Sequence, residues 1–364
     1  MERDYSIVTE NRGKRILDFS VNTNPLGVPP KITQQSKDFI LSFGFYPDPE
    51  CHALREVLAK KYAVPSECIY CGSGADDLLY RLVFALRPKK ALILEPAFEE
   101  YSRALALTGC AIHHLQLTEE HNFCVDMEAL LPAIDGMDII FVCNPNNPTG
   151  QLISHENMIR LLDQCEEKNV ICVVDECFME MMRDWYGYTV KSDCKSYHNL
   201  IVIDALTKTY AIPGVRLGFA ITQNKELLSR MQKCGQEFNV STPAQWAGIV
   251  ALSDTDYMSH TYAIVEQERS WLAEHFRELE IQTFPSVANF LLAKAPVADF
   301  NGLLLEQGIK VRDCTQFFGL SDRYCRFAVR THEENEKLIE AISRIKRETP
   351  IFLNLMKPIS ARKL

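Results

Sequence analysis

The alternation of short apolar runs with amphipathic stretches, between about residues 65 and 225, most constrains the fold of this chain. Runs such as residues 139–143 and 170–174 are almost entirely apolar, which is typical of strands buried on both faces. Helical patterns separate these runs, so we predict an α/β fold with a mostly parallel sheet. The predicted strands are residues 68–72, 91–94, 111–115, 139–143, 170–174, 200–203 and 217–221, and the predicted helices are residues 76–85, 98–108, 154–168 and 225–234.

The pattern changes after about residue 235 and predicts a second, smaller α/β domain. We expect an N-terminal segment, 1–40, that packs with the small domain, a large domain, 41–250, and a small C-terminal domain, 251–364. The polar, basic tail at 357–364 is expected to fray. The small domain is predicted to contain a long helical stretch at 243–278, strands at 289–293, 309–312 and 325–329, and helices near 299–307 and 333–346.

Four polar side chains follow apolar runs in a fixed order along the large domain. Asn147 follows the run at 139–143, Asp175 ends the next run, and Lys208 and Arg216 follow the run at 200–203. Ligand groups in parallel sheets gather at the carboxyl ends of strands, so these side chains should meet. The set suits a pyridoxal phosphate ring: the lysine forms the imine, the aspartate holds the pyridinium proton, the asparagine bonds the ring oxygen and the arginine binds the phosphate.

The glycine-rich turn at residues 72–77 is a candidate anion site. A turn that opens a helix directs backbone N–H groups at an anion, so Gly74, Ala75 and Asp76 are candidates for the cofactor phosphate, with Thr207 beside them. Simple N-capping is the alternative for Asp76. Phe98, which follows a predicted strand, either stacks on the cofactor ring or belongs to the core.

Three arginines lie near the last two predicted strands. Arg312, Arg326 and Arg330 each offer a planar fork that suits carboxylate and phosphate. Residues 326, 328 and 330 would share one face of a strand, so Arg326 and Arg330 can point the same way. Solvated charges at a sheet edge are the alternative interpretation.

Composition excludes several other classes of function. A net charge of −9 argues against nonspecific binding to nucleic acid or to anionic membranes. The start of the chain has no apolar signal region, and the apolar runs are too short to cross a bilayer. Thirteen cysteines suit free thiols in a reducing cytosol, so we expect a cytoplasmic protein. No His or second Cys pair completes a metal set with Cys68 and Cys71, and no metal site is predicted.

The chain resembles fold-type-I pyridoxal-phosphate enzymes, in the branch of histidinol-phosphate aminotransferases and threonine-phosphate decarboxylases. The likeness runs from the motif at 18–27 to the motif at 333–336. It implies an aspartate aminotransferase-like fold with a seven-stranded sheet, pyridoxal 5'-phosphate as cofactor and a homodimer. The implied roles are imine formation by Lys208, ring contacts by Asp175, Asn147 and Phe98, phosphate binding by Gly74, Ala75, Asp76, Thr207 and Arg216, a contact from Tyr46 to the neighbouring subunit's cofactor, and substrate binding by Asn24, Arg312, Arg326 and Arg330.

Three positions bear on which branch the chain resembles more. Phe178 and Arg330 stand where aminotransferases usually carry Tyr and Gly, and both look decarboxylase-like. Ala205 departs from the Ser or Thr that both branches tend to place there, which removes one phosphate ligand. The likeness implies decarboxylation of a small anionic amino acid, L-threonine O-3-phosphate, to 1-amino-2-propanol phosphate for cobamide assembly. The alternatives are phosphoserine as the substrate, or amino transfer from histidinol phosphate or an aromatic amino acid to 2-oxoglutarate.

Overall fold

The structure, a computed structural model, describes residues 10–11 and 14–348. The tail predicted to fray, 357–364, lies outside these residues. The strands are β1 (Glu10–Asn11), β2 (Lys14–Arg15), β3 (Leu17–Asp18), β4 (Ile69–Gly72), β5 (Lys90–Glu95), β6 (Ala111–Gln116), β7 (Ile139–Cys143), β8 (Ile171–Asp175), β9 (Leu200–Ala205), β10 (Gly218–Ile221), β11 (Phe290–Lys294), β12 (Ile309–Lys310), β13 (Arg312–Asp313) and β14 (Tyr324–Ala328). The helices are α1 (Pro30–Gln34), α2 (Ser36–Leu41), α3 (His52–Tyr62), α4 (Ala75–Leu86), α5 (Glu100–Ala106), α6 (Met127–Ala133), α7 (His155–Glu167), α8 (Leu206–Thr209), α9 (Lys225–Lys233), α10 (Thr242–Leu252), α11 (Thr255–Glu278), α12 (Phe300–Glu306) and α13 (His332–Glu348).

A seven-stranded sheet organises the large domain. Its strand order is β4-β10-β9-β8-β7-β5-β6. Strand β10 is antiparallel to both of its neighbours, and the other neighbouring pairs are parallel. The predicted mostly parallel sheet is therefore confirmed, and the carboxyl ends of β7, β8 and β9 meet at one edge.

The central strands are buried on both faces, as their continuous apolar sequence predicts. In β7, Ile140 and Val142 join the hydrophobic cluster on one face, while Ile139 and Phe141 join the cluster on the other. All five residues of this strand are buried. Each such side chain contributes about 1.5–3 kcal/mol of hydrophobic stabilisation, so the sheet is stable and holds the side chains at its edge in fixed positions.

The N-terminal segment joins the sheets of the small domain. Strand β3 pairs in parallel with β12, and Phe19 enters the hydrophobic cluster that contains Phe276 and Phe327. The antiparallel sheet β11-β14-β13 lies beside them. Helices α1 and α2 instead contact α10. The domain boundaries at residues 40 and 250 stay predictions.

Two predicted elements of the small domain are divided in the structure. The predicted strand at 309–312 breaks at Val311, because β12 pairs with β3 whereas β13 pairs with β14. The predicted helix at 243–278 breaks at Ser253 and Asp254, where the Asp254 side chain caps α11 by accepting a hydrogen bond from the Tyr257 N–H. Apolar alternation continues through Val311 and does not reveal the strand break, whereas the four polar residues at 253–256 are a helix-start signal that the prediction of one helix left out.

Among the residues that the structure describes, no helix combines the length and the apolar character needed to span a membrane.

Candidate active site

A cavity of about 720 Å³ opens between the carboxyl edge of the large sheet and the small domain. Ser20, Val21 and Asn22 of the N-terminal segment form part of its wall. The structure thus brings together most of the residues that the sequence suggested. Those that line the cavity are Ala75, Asp76, Phe98, Asn147, Asp175, Thr207, Lys208, Arg216, Arg312 and Arg326.

Lys208 lies in the single turn of α8, which begins where β9 ends. Its backbone oxygen accepts a hydrogen bond from the Asn24 N–H at 2.9 Å, which ties the N-terminal segment to this turn. Burial, and then the positive charge of Arg326, lower the pKa of the Lys208 amine to about 8. A lysine with such a pKa is partly neutral near pH 7 and can act as a nucleophile.

Asp175 is the last residue of β8, and two donors hold its carboxylate. The Tyr101 hydroxyl donates to Oδ2 at 2.6 Å, and the Cys177 backbone N–H donates to Oδ1 at 3.0 Å. Tyr101 is buried and its ring stacks on Phe141. Burial and the nearby Asp175 charge raise the pKa of Tyr101 far above its usual range, so the hydroxyl remains a donor. The carboxylate is therefore fixed in orientation at the sheet edge.

The turn before α4 forms a cradle for an anion. Gly74, at φ +90°, precedes the helix, whose N-terminus has no side-chain cap. A Cβ at Gly74 would lie 2.8 Å from Arg216 Nη2, so only glycine allows the guanidinium to approach so closely. Arg216 lies 3.4 Å from Asp76 Oδ2, which orients it over the turn. Backbone N–H groups at a helix N-terminus beside an arginine suit a phosphate.

Three other residues complete this end of the cavity. Thr207 is buried in the wall, where its hydroxyl is a further candidate ligand for the anion. Ala205 stands at the end of β9 and has no hydroxyl to offer, as the sequence indicated. Phe98 is half-buried and meets Tyr101 edge to face, with 5.8 Å between the ring centroids. It therefore lies in the cavity wall rather than deep in the core.

Arg326 is a buried guanidinium whose Nε has no hydrogen-bond partner. Nη1 donates to Asn147 Oδ1 at 2.5 Å, and Nη2 donates to the Ser20 carbonyl at 2.7 Å. The guanidinium also lies over the Phe290 ring, 5.2 Å from its centroid. Burial lowers the pKa of Arg326 to about 10. A desolvated cation of this kind is a strong site for a carboxylate.

The buried side-chain atoms that lack a hydrogen-bond partner, among the described residues, concentrate at this wall. They are Arg326 Nε, Asn22 Nδ2 and Asn289 Oδ1. The Asn289 amide donates to the Asn22 carbonyl at 2.9 Å, so the two asparagines are neighbours. Each unpaired buried group costs about 1–3 kcal/mol, and a polar ligand in the cavity would reduce that cost for Arg326 and Asn22, which line it.

Four sequence candidates do not line the cavity: Gly74, Tyr46, Asn24 and Arg330. Tyr46 is 86% exposed and packs against Phe238, so its contact with a neighbouring subunit stays a prediction. Asn24 is buried beneath Lys208, where its amide donates to the Thr209 carbonyl at 2.8 Å and to Thr261 Oγ1 at 2.7 Å. This amide has no donor left for a substrate.

Arg330 departs from the expectation based on strand alternation. Strand β14 ends at Ala328, so the alternation that would place Arg330 beside Arg326 does not reach it. Its guanidinium instead pairs with Glu334 at 3.1 Å, one helical turn along the start of α13.

A buried ionic cluster beneath the cavity has no counterpart in the sequence interpretation. Lys191 Nζ lies 2.7 Å from Glu176 and 2.9 Å from Asp204, and all three side chains are almost fully buried. Although burial disfavours its charge, these carboxylates hold the pKa of Lys191 above its usual range. Burial raises the pKa of Asp204 to about 7. Glu176 follows Asp175 in the chain, so the cluster braces β8 against β9.

Comparison with known proteins identifies the family. Residues 14–342 match the model of aminotransferase class I and II. The chain belongs to this family. It is 33% identical over 337 residues to the threonine-phosphate decarboxylase of Salmonella typhimurium, with 91% of each chain covered. It is also similar to the solved histidinol-phosphate aminotransferase of Clostridium acetobutylicum, at 31% identity and a TM-score of 0.86, covering 91% of this chain and 99% of that one.

A further solved structure bears on the fold alone. The L-threonine-O-3-phosphate decarboxylase of Porphyromonas gingivalis shares 22% identity and has a TM-score of 0.81, with 92% of this chain and all of that one covered. The resemblance and the aspartate aminotransferase-like fold expected from the sequence are both confirmed.

Proposed function

We propose that this protein is a pyridoxal-phosphate enzyme that decarboxylates a phosphorylated amino acid, L-threonine O-3-phosphate, to an amino alcohol phosphate used in cobalamin biosynthesis. The observation that carries the proposal is the cavity in which a lysine of lowered pKa, an oriented carboxylate and a phosphate cradle converge. The similarity to a threonine-phosphate decarboxylase over 91% of both chains supports the choice of reaction.

The donor set of the cavity fits the cofactor. Lys208 would hold its aldehyde carbon, Asp175 its ring nitrogen and Asn147 its ring oxygen. The cradle of Gly74, Ala75, Asp76, Thr207 and Arg216 would hold its phosphate, and Phe98 would contact its ring. When bound, pyridoxal phosphate supplies an electron sink for the bond that breaks at the substrate Cα.

The protein's own groups control the protons. The Asp175 carboxylate would keep a proton on the ring nitrogen, and Tyr101 keeps that carboxylate in position through its 2.6 Å hydrogen bond. Once displaced by the substrate amine, Lys208 would take up the proton that the substrate's ammonium group gives up. The resulting Lys208 ammonium would donate that proton to Cα after carbon dioxide has left. The lowered pKa of Lys208 suits both the attack and this transfer.

The choice between decarboxylation and amino transfer depends on how the substrate is held. The bond that stands perpendicular to the cofactor ring breaks, because only that bond overlaps with the ring electrons. Arg326 would bind one anionic group of the substrate and so contribute to its orientation. Phe178, which packs edge to face on Phe290 with 5.1 Å between centroids, lines the cavity without any hydroxyl. Interactions that exist only in the transition state decide which path prevails.

Amino transfer from histidinol phosphate to 2-oxoglutarate is the second candidate function. The observation that favours it is the TM-score of 0.86, at 31% identity, with a solved histidinol-phosphate aminotransferase. The same lysine and aspartate would serve that reaction, with the Cα–H bond held upright instead.

One experiment separates the two functions. Purified holoenzyme is incubated with L-threonine O-3-phosphate in the absence of any oxo acid, and carbon dioxide is measured. We expect continuous release over many turnovers. A lack of release, together with glutamate formation from histidinol phosphate and 2-oxoglutarate, would refute the decarboxylase and support the aminotransferase. Asp175→Ala should abolish either activity while the fold is retained.

We also propose a cytoplasmic homodimer in which Tyr46 reaches the neighbouring subunit's cofactor. An exposed apolar surface around Tyr46 supports the assembly, since such surfaces on monomers are usually small. It includes Ile40, Leu41, Phe43 and Phe45, each at least 59% exposed. Sedimentation analysis should give a dimer, and Tyr46→Ala should weaken cofactor affinity.

A further inference from the structure

We propose that Lys310 determines specificity for a phosphorylated substrate, because it forms with Arg312 a second anion site on the cavity wall, separate from Arg326. The inference rests on the proposed function only in taking the bound anion to be the substrate's phosphate. It names a residue to which neither the sequence pattern nor the family resemblance gave a role.

The backbone places the two cations side by side. Lys310 ends β12 and Arg312 begins β13, with only Val311 between them, and both residues line the cavity. The pairing of β12 with β3 holds this stretch, through a 2.7 Å hydrogen bond from the Phe19 N–H to the Lys310 carbonyl. The Lys310 side chain is therefore positioned by its backbone and is not needed to hold the strand.

The same wall carries a third cation. Arg312 is the direct antiparallel partner of Arg326 in the register of β13 and β14. Like charges directly opposite each other in a sheet are destabilising, with Cβ atoms only about 4.5–5.5 Å apart. A bound anion would relieve this repulsion. Lys310, Arg312 and Arg326 thus form one positively charged strip.

The acidic residues near this strip do not saturate it. Lys310 Nζ lies 3.8 Å from Asp18, and Arg312 lies 3.9 Å from Glu99. Both distances exceed those of hydrogen-bonded ion pairs, about 2.7–2.9 Å. Asp18 Oδ1 already accepts hydrogen bonds from the Ser20 N–H and hydroxyl, at 2.8 and 2.5 Å. Arg312 Nη2 also donates to Gln316 Oε1, at 3.5 Å. The two cations can therefore turn to an anion without breaking a close ion pair.

Arg326 cannot serve both anionic groups of such a substrate. Asn147 and Ser20 fix the orientation of its guanidinium through Nη1 and Nη2, and Nε has no partner. A planar guanidinium fixed in one orientation suits one carboxylate. A phosphate dianion needs several donors and more charge, and the pair of Lys310 and Arg312 supplies both. The strip thus matches an amino acid that carries a carboxylate and a phosphate.

The test compares Lys310→Met and Lys310→Arg with Lys89→Met in the cofactor-loaded enzyme. Lys89 is an exposed lysine just before β5, at the opposite edge of the sheet, so its variant controls for loss of a positive charge. Lys310→Met should raise KM for the phosphorylated amino acid about 10- to 100-fold, with a smaller effect on kcat. Lys310→Arg should restore most of the affinity, and Lys89→Met should behave as the native protein.

Calorimetric titration of the same holoenzymes with inorganic phosphate separates this inference from the reaction. We expect Lys310→Met to weaken phosphate binding at least tenfold. If the enzyme fails to decarboxylate threonine phosphate but Lys310→Met still loses phosphate affinity, the anion site stands and the substrate assignment fails. If folded Lys310→Met, or Lys310→Gln should the first variant not fold, keeps native phosphate affinity and native KM, the inference is overturned.

Discussion

Replacing Lys208 with methionine should make the cofactor-free protein more stable at neutral pH. The folded pKa of Lys208 is about 8, against an ordinary value of 10.5. Each unit of difference corresponds to 1.36 kcal/mol, so the half-buried Lys208 ammonium costs the folded state about 3 kcal/mol at pH 7. Methionine has a similar length and no charge, so Lys208→Met removes this cost.

The sign of the pH dependence follows from which state binds the proton more tightly. Because the folded pKa is the lower one, the unfolded chain holds more protons between about pH 8 and 10.5, and the native protein gains stability as pH rises. The advantage of Lys208→Met should therefore shrink from about 3 kcal/mol at pH 7 to about 1 kcal/mol at pH 9.5.

Urea unfolding of the native protein and of Lys208→Met, both stripped of cofactor, measures the difference in their free energies of unfolding at each pH. Lys89→Met is the matched control, because Lys89 is exposed and its replacement should give no pH-dependent gap. A Lys208→Met protein that is less stable than the native chain at pH 7, or a gap that does not change with pH, would refute the view that the pKa of the Lys208 amine is lowered in the folded protein.

Two further predictions concern residues that act through their neighbours. Tyr101→Phe keeps the ring but removes the hydrogen bond to Asp175, so kcat should fall about 10- to 100-fold at nearly unchanged unfolding midpoint; native kcat would contradict the positioning role. Lys191→Met leaves Glu176 and Asp204 buried without their cation, so the free energy of unfolding, measured in urea, should fall by about 3–5 kcal/mol. This decrease should grow as the pH rises above the Asp204 pKa of about 7, and a decrease under about 1 kcal/mol would show that the cluster does not stabilise the fold.

The large sheet and the chemistry at its edge could be predicted because local signals dominate there. Buried parallel strands are continuous apolar runs, so β7 was located to the residue. A charged side chain at the end of such a run or shortly after it needs a partner, which singled out Asp175 and Lys208. Burial and polarity thus point to the same residues, and no tertiary information was required.

The other features depend on contacts that a single sequence does not display. Tyr101 occupies an apolar helix face, and only its 2.6 Å hydrogen bond to Asp175 distinguishes it from a core aromatic. The ionic cluster of Lys191 joins residues from separate loops and strands. Strand alternation and the family resemblance suggested Arg330, and the family resemblance alone suggested Asn24. The end of β14 and the hydrogen bonds under Lys208 decide where the two side chains lie.

Capture of the cofactor by Lys208 is the central claim, and chemical trapping tests it most directly. The protein is incubated with pyridoxal phosphate, reduced with borohydride and digested, and the peptides are weighed by mass spectrometry. We expect a yellow protein before reduction and a stable pyridoxyl adduct on Lys208, with no adduct in Lys208→Met. A colourless protein, or an adduct that forms on other lysines while Lys208 stays unmodified, would contradict the claim.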